Sequence, residues 1–126
     1  MIFGIGTDII EITRIKLAIE KNGERFARRI LSKSEQELCS QSKYPERFLA
    51  KRFAAKEAFA KALGTGIRNG LNLCDIEVSN NADGKPEINY VGTNAKVESI
   101  LPSQAKFHIT ISDEKEYAVA FVIIES

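Results

Sequence analysis

One long helical segment carries ionisable groups on its apolar side, and any fold of this chain has to accommodate them. The segment FLAKRFAAKEAFAKALGTG, residues 48–66, contains no helix breaker before its glycines. At about 100° per residue, its Phe, Leu and Ala side chains form one broad stripe of the kind that helices bury. Arg52 and Lys56 fall inside this stripe, and Glu57 and Lys61 lie just beyond its edge. Because a buried charge is costly unless it is paired, these four groups need partners or a ligand.

The whole chain, residues 1–126, has the size and composition of one ordinary globular domain. Apolar residues make up 44% of it, charged residues 28%, and the net charge is +1. This charge excludes a protein that coats nucleic acid through its bulk charge, and no apolar run approaches the ~20 residues of a membrane span. The opening MIFGIGTDII lacks the basic start of a signal peptide. We therefore expect a cytoplasmic protein with no nucleic-acid or membrane partner, in which Cys39 and Cys74 are free thiols.

The pattern of the rest of the chain predicts helices and antiparallel strands together. The opening stretch is β-like, and Ser34 followed by Glu37 has the spacing of a helix capping box. Helices are predicted at about 13–21, at 24–31, from 34, from 45 and at 94–101, and strands at about 74–79, at 86–91 and in a closing hairpin that turns at 113–115. The predicted fold class is α+β, a single small domain with a long central helix packed on antiparallel strands.

Asp8 stands in GIGTDIIEI, an apolar strand with two glycines just before it. One interpretation is a strand end at which the carboxylate caps the next turn or pairs with an arginine. The other is a metal ligand, because hard divalent ions such as Mg²⁺ take one or two carboxylates together with phosphate oxygens. The glycines would then leave room for a ligand to approach the backbone.

Glu57 and Lys61 form an i, i+4 pair in the favourable order, which by itself predicts a weak surface salt bridge. Small residues on the same turns would let another body come close: Ala54, Ala58 and Ala60. Lysine and arginine can extend their charged ends out of an apolar face, and this alone could explain Arg52 or Lys56. Two cations, a carboxylate and a third cation over three turns nevertheless fit an anion site beside a metal ion better.

Two further features allow a plain or a functional interpretation. His108, the one imidazole of the chain, shares a strand face with Thr110 and Ser112, opposite the apolar residues; it is either a bystander or part of a site. Four basic residues near the start would align on one face of an unbroken helix: Arg14, Lys21, Arg25 and Arg28. That face is either solvated or a dock for an acidic partner.

Four segments, in order and spanning nearly the whole chain, resemble the small phosphopantetheinyl transferases. They are GIGTDIIEITRI, FLAKRFAAKEAFAKALGTGI, DIEVSNNADGKPEI and HITISDEKEYAVAFVIIE. The resemblance implies the phosphopantetheinyl transferase fold. It also implies an enzyme of fatty acid biosynthesis that moves 4′-phosphopantetheine from coenzyme A to a serine of apo acyl carrier protein, releasing adenosine 3′,5′-bisphosphate.

The same resemblance implies roles for particular residues. Asp8 and Glu57 would hold Mg²⁺ and Lys61 would lie by the pyrophosphate, so that these three are the catalytic residues. Either Glu57 or a water on the metal would take the proton of the carrier serine. Lys61 and four other residues would contact coenzyme A: Arg52, Gly84, Pro86 and His108. Arg14 and Arg25 would bind the carrier, and members of the family form trimers with sites at the subunit boundaries.

Two other functions remain compatible with these residues. A module that binds the carrier or coenzyme A without catalysis would tolerate the loss of Glu57. A metal-dependent phosphohydrolase would use the same Asp8 and Glu57 with water as the nucleophile. One departure from the family is visible, since many members have a histidine where this chain has Asp113; we expect little effect on the chemistry at this turn.

Overall fold

A computed structural model describes residues 1–66 and 71–126 of the chain. The strands are β1 Ile2–Glu11, β2 Ile76–Asn80, β3 Pro86–Tyr90, β4 Lys106–Asp113 and β5 Tyr117–Glu125. The helices are α1 Ile12–Asn22, α2 Glu24–Ile30, α3 Lys33–Ser40, α4 Pro45–Leu63 and α5 Ala95–Ile100, with a 3₁₀ turn at Leu73–Asp75. This confirms the predicted α+β class. None of the helices in these two ranges is long and apolar enough to cross a membrane.

Helix α4 is the central element, and its ends are where the sequence predicts them. Pro45 occupies the first turn, and Gly64 ends the helix in the left-handed conformation, with φ 93°. Proline is tolerated at the start of a helix because the first turn has no intrahelical acceptor for its missing N–H, and glycine enters the left-handed region without a steric penalty. Nine apolar residues and two charged ones between these ends are buried, which makes α4 the core of the protein.

The main sheet has three antiparallel strands in the order β1-β5-β4. The sequence predicts the β4–β5 hairpin, but not that the first strand pairs along the last, with Asp8 opposite Ala120. One face of the sheet covers α4 through alternate residues of β5: Ala118, Ala120, Val122 and Ile124. Phe107, Ile109 and Ile111 of β4 pack on the same side, which confirms the apolar face predicted for that strand.

Strand β1 lies directly against the backbone of α4 at its two glycines. A Cβ atom on Gly6 would stand 2.0 Å from the carbonyl oxygen of Ala58, and one on Gly4 would stand 1.9 Å from that of Ala62. The glycines therefore make room for the helix and not for a ligand, which corrects the interpretation given to them above. Ala54, Ala58 and Ala60 are fully buried in the chain's own core, so they do not admit a separate body either.

A second, two-stranded sheet is the predicted hairpin of β2 and β3. Asn80 pairs with Pro86 at the base of its turn, and Gly84 adopts φ 83° within that turn. The first helical region is interrupted at Gly23, where φ is 61°, so α1 and α2 are separate helices. The four basic residues of this region do not share one continuous helix face.

Candidate active site

The three predicted catalytic residues, Asp8, Glu57 and Lys61, lie together where β1 crosses α4. The Nζ of Lys61 donates a hydrogen bond of 3.0 Å to the Oδ1 of Asp8 and another of 3.0 Å to the carbonyl oxygen of Thr7. Glu57 lies one turn before Lys61 on the same helix and close enough to Asp8 for the two carboxylates to repel each other. The contact of Gly4 and Gly6 with α4 brings Asp8 to this position.

The two carboxylates carry more negative charge than their protein partners offset. Burial raises the pKa of Glu57, the charge of Asp8 raises it further, and the charge of Lys61 lowers it in part. Within the described ranges, the Oδ2 of Asp8 is buried and accepts no hydrogen bond. A buried acceptor without a partner is costly, so this pair of carboxylates is suited to a cation.

Asp8 and Glu57 line a cavity of about 470 Å³ together with Arg14 of α1. Its other walls are mainly apolar, with Phe26 and Phe53 among them. The predicted metal ligands and the first predicted carrier-binding residue thus lie in one concave surface. Arg25 is exposed on α2 and does not line this cavity.

The predicted coenzyme A contacts Pro86 and His108 line a different cavity, of about 220 Å³, between the β2–β3 turn and β4. Gly84 belongs to the same turn but is exposed beside the cavity and does not line it. His108 forms a hydrogen bond of 2.9 Å with Glu125 of β5 through its Nε2. This hydrogen bond from the imidazole lowers the pKa of the Glu125 carboxyl.

The two cavities share no lining residue, and Asp8 and His108 lie on opposite faces of the main sheet. Asp8 is paired with Ala120, on the face that covers α4. His108 is paired with Ile123, on the outer face. A single copy of the chain therefore does not bring Asp8 and His108 into one site.

Arg52 is not at either cavity but in a buried ion network. Its side chain is only 8% exposed and lies 3.3 Å from the Oε2 of Glu35. The guanidinium also donates to the carbonyl of Val78 and, at 3.4 Å, to the Oδ1 of Asn80. Burial lowers the pKa of Arg52, and the neighbouring Glu35 carboxylate opposes that shift.

Lys56 belongs to the same network and is completely buried within this one chain. Its Nζ lies 2.5 Å from the Oε1 of Glu35 and donates to the carbonyl of Ile30 at 2.6 Å. The charged end of Lys56 therefore does not extend out of the apolar face. Glu35, which is 1% exposed, is the carboxylate that forms ion pairs with both Arg52 and Lys56.

Glu35 is not among the predicted site residues because the pattern of Ser34 and Glu37 places the capping box two residues too late. Ser32 caps α3, its hydroxyl accepting from the backbone N–H of Glu35, and the Glu35 carboxylate accepts from the backbone N–H of Ser32. The prediction of Ser34 and Glu37 for this box is wrong. Ser32 and Glu35 have the same Ser-x-x-Glu spacing, so a signal for the correct pair was present in the sequence.

Asp113, the departure from the family pattern, has a structural partner. The Nη1 of Arg47 lies 2.9 Å from its Oδ2 and 2.6 Å from the carbonyl oxygen of Glu114. Arg47 thereby ties the first half of α4 to the β4–β5 turn.

Comparison with known proteins identifies the family. The model of the 4′-phosphopantetheinyl transferase superfamily matches residues 4–122. Holo-(acyl-carrier-protein) synthases of Yersinia pestis (strain Pestoides F) and Yersinia pseudotuberculosis (strain YPIII) are each 54% identical over 125 residues. That alignment covers 99% of this chain and 98% of each relative.

Solved structures agree with this comparison. A holo-(acyl-carrier-protein) synthase from Neisseria meningitidis is 43% identical, with a TM-score of 0.88 over 100% of both chains. The enzyme from Bacillus anthracis, solved in complex with CoA (3′,5′-ADP), is 41% identical, with a TM-score of 0.84 over 100% of this chain and 98% of that one. The small α+β domain described above is their fold, and the chain belongs to the 4′-phosphopantetheinyl transferase superfamily.

Proposed function

We propose that this chain, residues 1–126 as one domain, is a cytoplasmic holo-(acyl-carrier-protein) synthase. It transfers 4′-phosphopantetheine from coenzyme A to a serine of apo acyl carrier protein and releases adenosine 3′,5′-bisphosphate. The observation that carries the proposal is the cluster of Asp8, Glu57 and Lys61 at a cavity that Arg14 also lines. The proposal is also supported by full-length similarity to holo-(acyl-carrier-protein) synthases.

The residues at this cavity fit a divalent cation such as Mg²⁺. The buried, unpartnered Oδ2 of Asp8 and the raised pKa of Glu57 both indicate that a cation is favoured there. In the described part of the chain, no group of three or more His, Cys, Asp or Glu side chains forms a metal site. Two carboxylates nevertheless suffice, since Mg²⁺ binds through one or two carboxylates together with substrate phosphates.

The proposed reaction is a phosphoryl transfer, in which positioning and charge neutralisation supply most of the catalysis. The serine oxygen forms a bond to the β-phosphorus of coenzyme A, and the bond from that phosphorus to the bridging oxygen breaks. Asp8 and Glu57 would hold the cation, which would supply charge neutralisation at the pyrophosphate. Lys61 stabilises the leaving phosphate of adenosine 3′,5′-bisphosphate, and the serine proton passes to Glu57 or to a water beside it.

The two cavities suggest how the substrates are arranged. Arg14, at the rim of the Asp8 cavity, is suited to an acidic surface of the carrier, and exposed Arg25 extends that basic surface. Pro86 and His108 are suited to the nucleotide end of coenzyme A, with Gly84 in the adjoining turn. Because Asp8 and His108 lie on opposite faces of the main sheet, we propose that two neighbouring copies each supply one half of a shared site.

An exposed apolar surface supports this assembly. Ile5 and Ile9 of β1 are 59% and 62% exposed on the outer face of the sheet. Directly paired with them on β5 are Ile123 and Val119, and Phe121 is exposed between these two. A contiguous apolar patch of this kind marks an interaction surface, and we propose that it joins copies into a homotrimer with sites at the subunit boundaries.

The first experiment is intact-mass analysis of apo acyl carrier protein incubated with this protein and coenzyme A, with Mg²⁺ or with chelator. The expected result is a gain of one phosphopantetheine arm that chelator abolishes, with one equivalent of adenosine 3′,5′-bisphosphate released. An Arg14→Glu variant, which reverses the charge at the rim of the cavity, should raise KM for the carrier more than KM for coenzyme A.

Two results would contradict the proposal. An unmodified carrier with coenzyme A intact and bound would indicate a binding module. Coenzyme A that is cleaved while the carrier stays unmodified would indicate a phosphohydrolase.

A further inference from the structure

The turn between β2 and β3 is held by the side chains of two asparagines. The Oδ1 of Asn81 accepts hydrogen bonds of 2.9 Å and 3.0 Å from the backbone N–H groups of Asp83 and Lys85. The Nδ2 of Asn80 donates a bond of 2.9 Å to the carbonyl oxygen of Gly84. Gly84 itself has φ 83°, which a residue with a side chain rarely adopts, so the turn has one well-defined shape.

Asn80 also connects this exposed turn to the buried ion network. Its Oδ1 accepts from the Nη2 of Arg52 at 3.4 Å, and Arg52 is held in turn by Glu35. The same Oε2 of Glu35 also accepts from the backbone N–H of Val78, on the same strand as Asn80, at 3.1 Å. One amide thus links a fixed guanidinium in the core to the backbone of a surface turn.

The turn is also one wall of the cavity assigned above to coenzyme A. Asn81, Lys85 and Pro86 line that cavity on one side, and His108 lines it on the other. Asn80 does not line it. Any effect of Asn80 on a ligand there must therefore act through the position of the turn.

We propose that Asn80 is a positioning residue, which fixes the β2–β3 turn against Arg52 and so preforms the wall that receives the nucleotide end of coenzyme A. The proposal rests on the function proposed above. It also gives Arg52 an indirect role, in which it holds Asn80 and does not touch the nucleotide.

Two variants of Asn80 and one control test its hydrogen bonds. Asn80→Ala removes both. Asn80→Asp keeps an acceptor for Arg52 but replaces the donor to Gly84 with an oxygen, which repels that carbonyl. Ser79→Ala, at the exposed neighbouring position of the same strand, is the matched control. Each variant is measured as the full chain for melting temperature, for KM and kcat with coenzyme A, and for backbone amide exchange.

We expect Asn80→Asp to raise KM for coenzyme A by about fivefold, the effect of one neutral hydrogen bond. Asn80→Ala also loses the bond to Arg52 and should raise KM by at least as much. We expect kcat and the KM for the carrier to stay within about twofold of wild type. The backbone amides of Gly84 and Lys85 should exchange faster in both variants even without coenzyme A. Ser79→Ala should match wild type in every measurement.

The proposal is overturned if Asn80→Asp has wild-type KM and wild-type amide exchange, since that variant lacks the bond to Gly84. A fall in kcat with unchanged KM would also overturn it, because Asn80 would then act on the chemical step. Failure of the proposed function looks different: wild-type protein would itself neither bind coenzyme A nor modify the carrier. The amide-exchange comparison still tests the role of Asn80 in that case.

Discussion

The Nζ of Lys61 lies 3.0 Å from the Oδ1 of Asp8, although 53 residues separate them in the sequence. The lysine side chain is 54% exposed and the aspartate side chain 16% exposed, so the pair stands at the boundary between core and solvent. An ion pair this exposed contributes little to stability, about 1 kcal/mol or less. We therefore expect the Lys61–Asp8 pair to contribute to catalysis and not to the stability of the fold.

Lys61→Met tests this expectation. We predict a fall in the rate of carrier modification of about 100-fold, because a cation near the leaving phosphate is lost, with a melting temperature close to wild type. Lys51→Met, on the same helix, is the control and should keep wild-type activity. The measurements are the rate of carrier modification and the melting temperature of each variant. A Lys61→Met protein with normal turnover would show that Lys61 is not a catalytic residue.

Glu57→Gln should lower activity and at the same time raise stability at neutral pH. The pKa of Glu57 is raised in the folded protein, so the folded state binds its proton more tightly than the unfolded state does. Wild-type stability therefore falls as pH rises from the ordinary glutamate range through the raised pKa. The glutamine variant lacks this penalty and should be more stable than wild type at pH 7 but not near pH 4.

Urea unfolding of both proteins at several pH values, with chelator present, measures that difference. Carrier modification by Glu57→Gln should be lower by about 100-fold or more, since a proposed metal ligand is lost. Equal pH dependence in the two proteins would show that Glu57 does not carry the unfavourable charge.

Gly6→Ala should disturb the site by moving a strand. The new Cβ would stand 2.0 Å from the carbonyl oxygen of Ala58, so β1 must shift away from α4 and carry Asp8 with it. We expect a loss of about 3 kcal/mol in stability and a loss of activity. Thr7→Ser, one residue away, is the mild control. A crystal structure or chemical-shift map of the alanine variant with Asp8 unmoved would refute this coupling.

Glu35→Gln should be among the most destabilising conservative changes in the protein. It leaves Arg52 and Lys56 buried without an anion, and breaking a buried ion network in this way costs about 3–5 kcal/mol. Glu37→Gln, exposed on the same helix, should cost much less. Denaturant unfolding compares them, and similar values for the two variants would show that Glu35 is not the anchor of the network.

Val119→Asp should dissociate the proposed assembly. Val119 lies directly opposite Ile9 in the outer apolar patch, and a charge there would be buried at any contact between copies. We expect the dissociation constant to rise by at least about 30-fold, measured by sedimentation, with activity falling in proportion to the loss of assembly. Leu38→Asp, exposed on α3, is the control. A wild-type protein that is monomeric at high concentration would itself contradict the shared site.

The sequence predicts the local elements of this fold better than it predicts their partners. Helix α4 is defined by apolar periodicity and by Pro45 and Gly64 at its ends. The β4–β5 hairpin is defined by alternating apolar residues on both sides of a polar turn. These signals lie within the elements themselves. The pairing of β1 with β5 joins the two ends of the chain, and no local pattern encodes it. The predicted apolar strand face and helix stripe show which sides are buried, but not against what.

In the candidate site, too, the sequence identifies individual residues better than it identifies their partners. Asp8, Glu57 and Lys61 could be selected because charges are unusual beside an apolar stripe, and the structure brings these three together. Lys56 and Arg52 gave an equally unusual pattern, yet a buried carboxylate binds both. From sequence, a buried ion network and an anion site look alike, because both place cations on an apolar face. The difference lay in Glu35, which the overlapping Ser-x-x-Glu patterns concealed.

The contact between β1 and α4 also limits how the distance from Asp8 to Glu57 can change. Residues alternate between the two faces of a strand, so a slip of one position would turn Ile5 and Thr7 towards the helix. The backbone of α4 leaves no room there for even a methyl group. The carboxylates can therefore face each other in one register only, and substitutions can replace groups at this site far more easily than they can adjust its spacing.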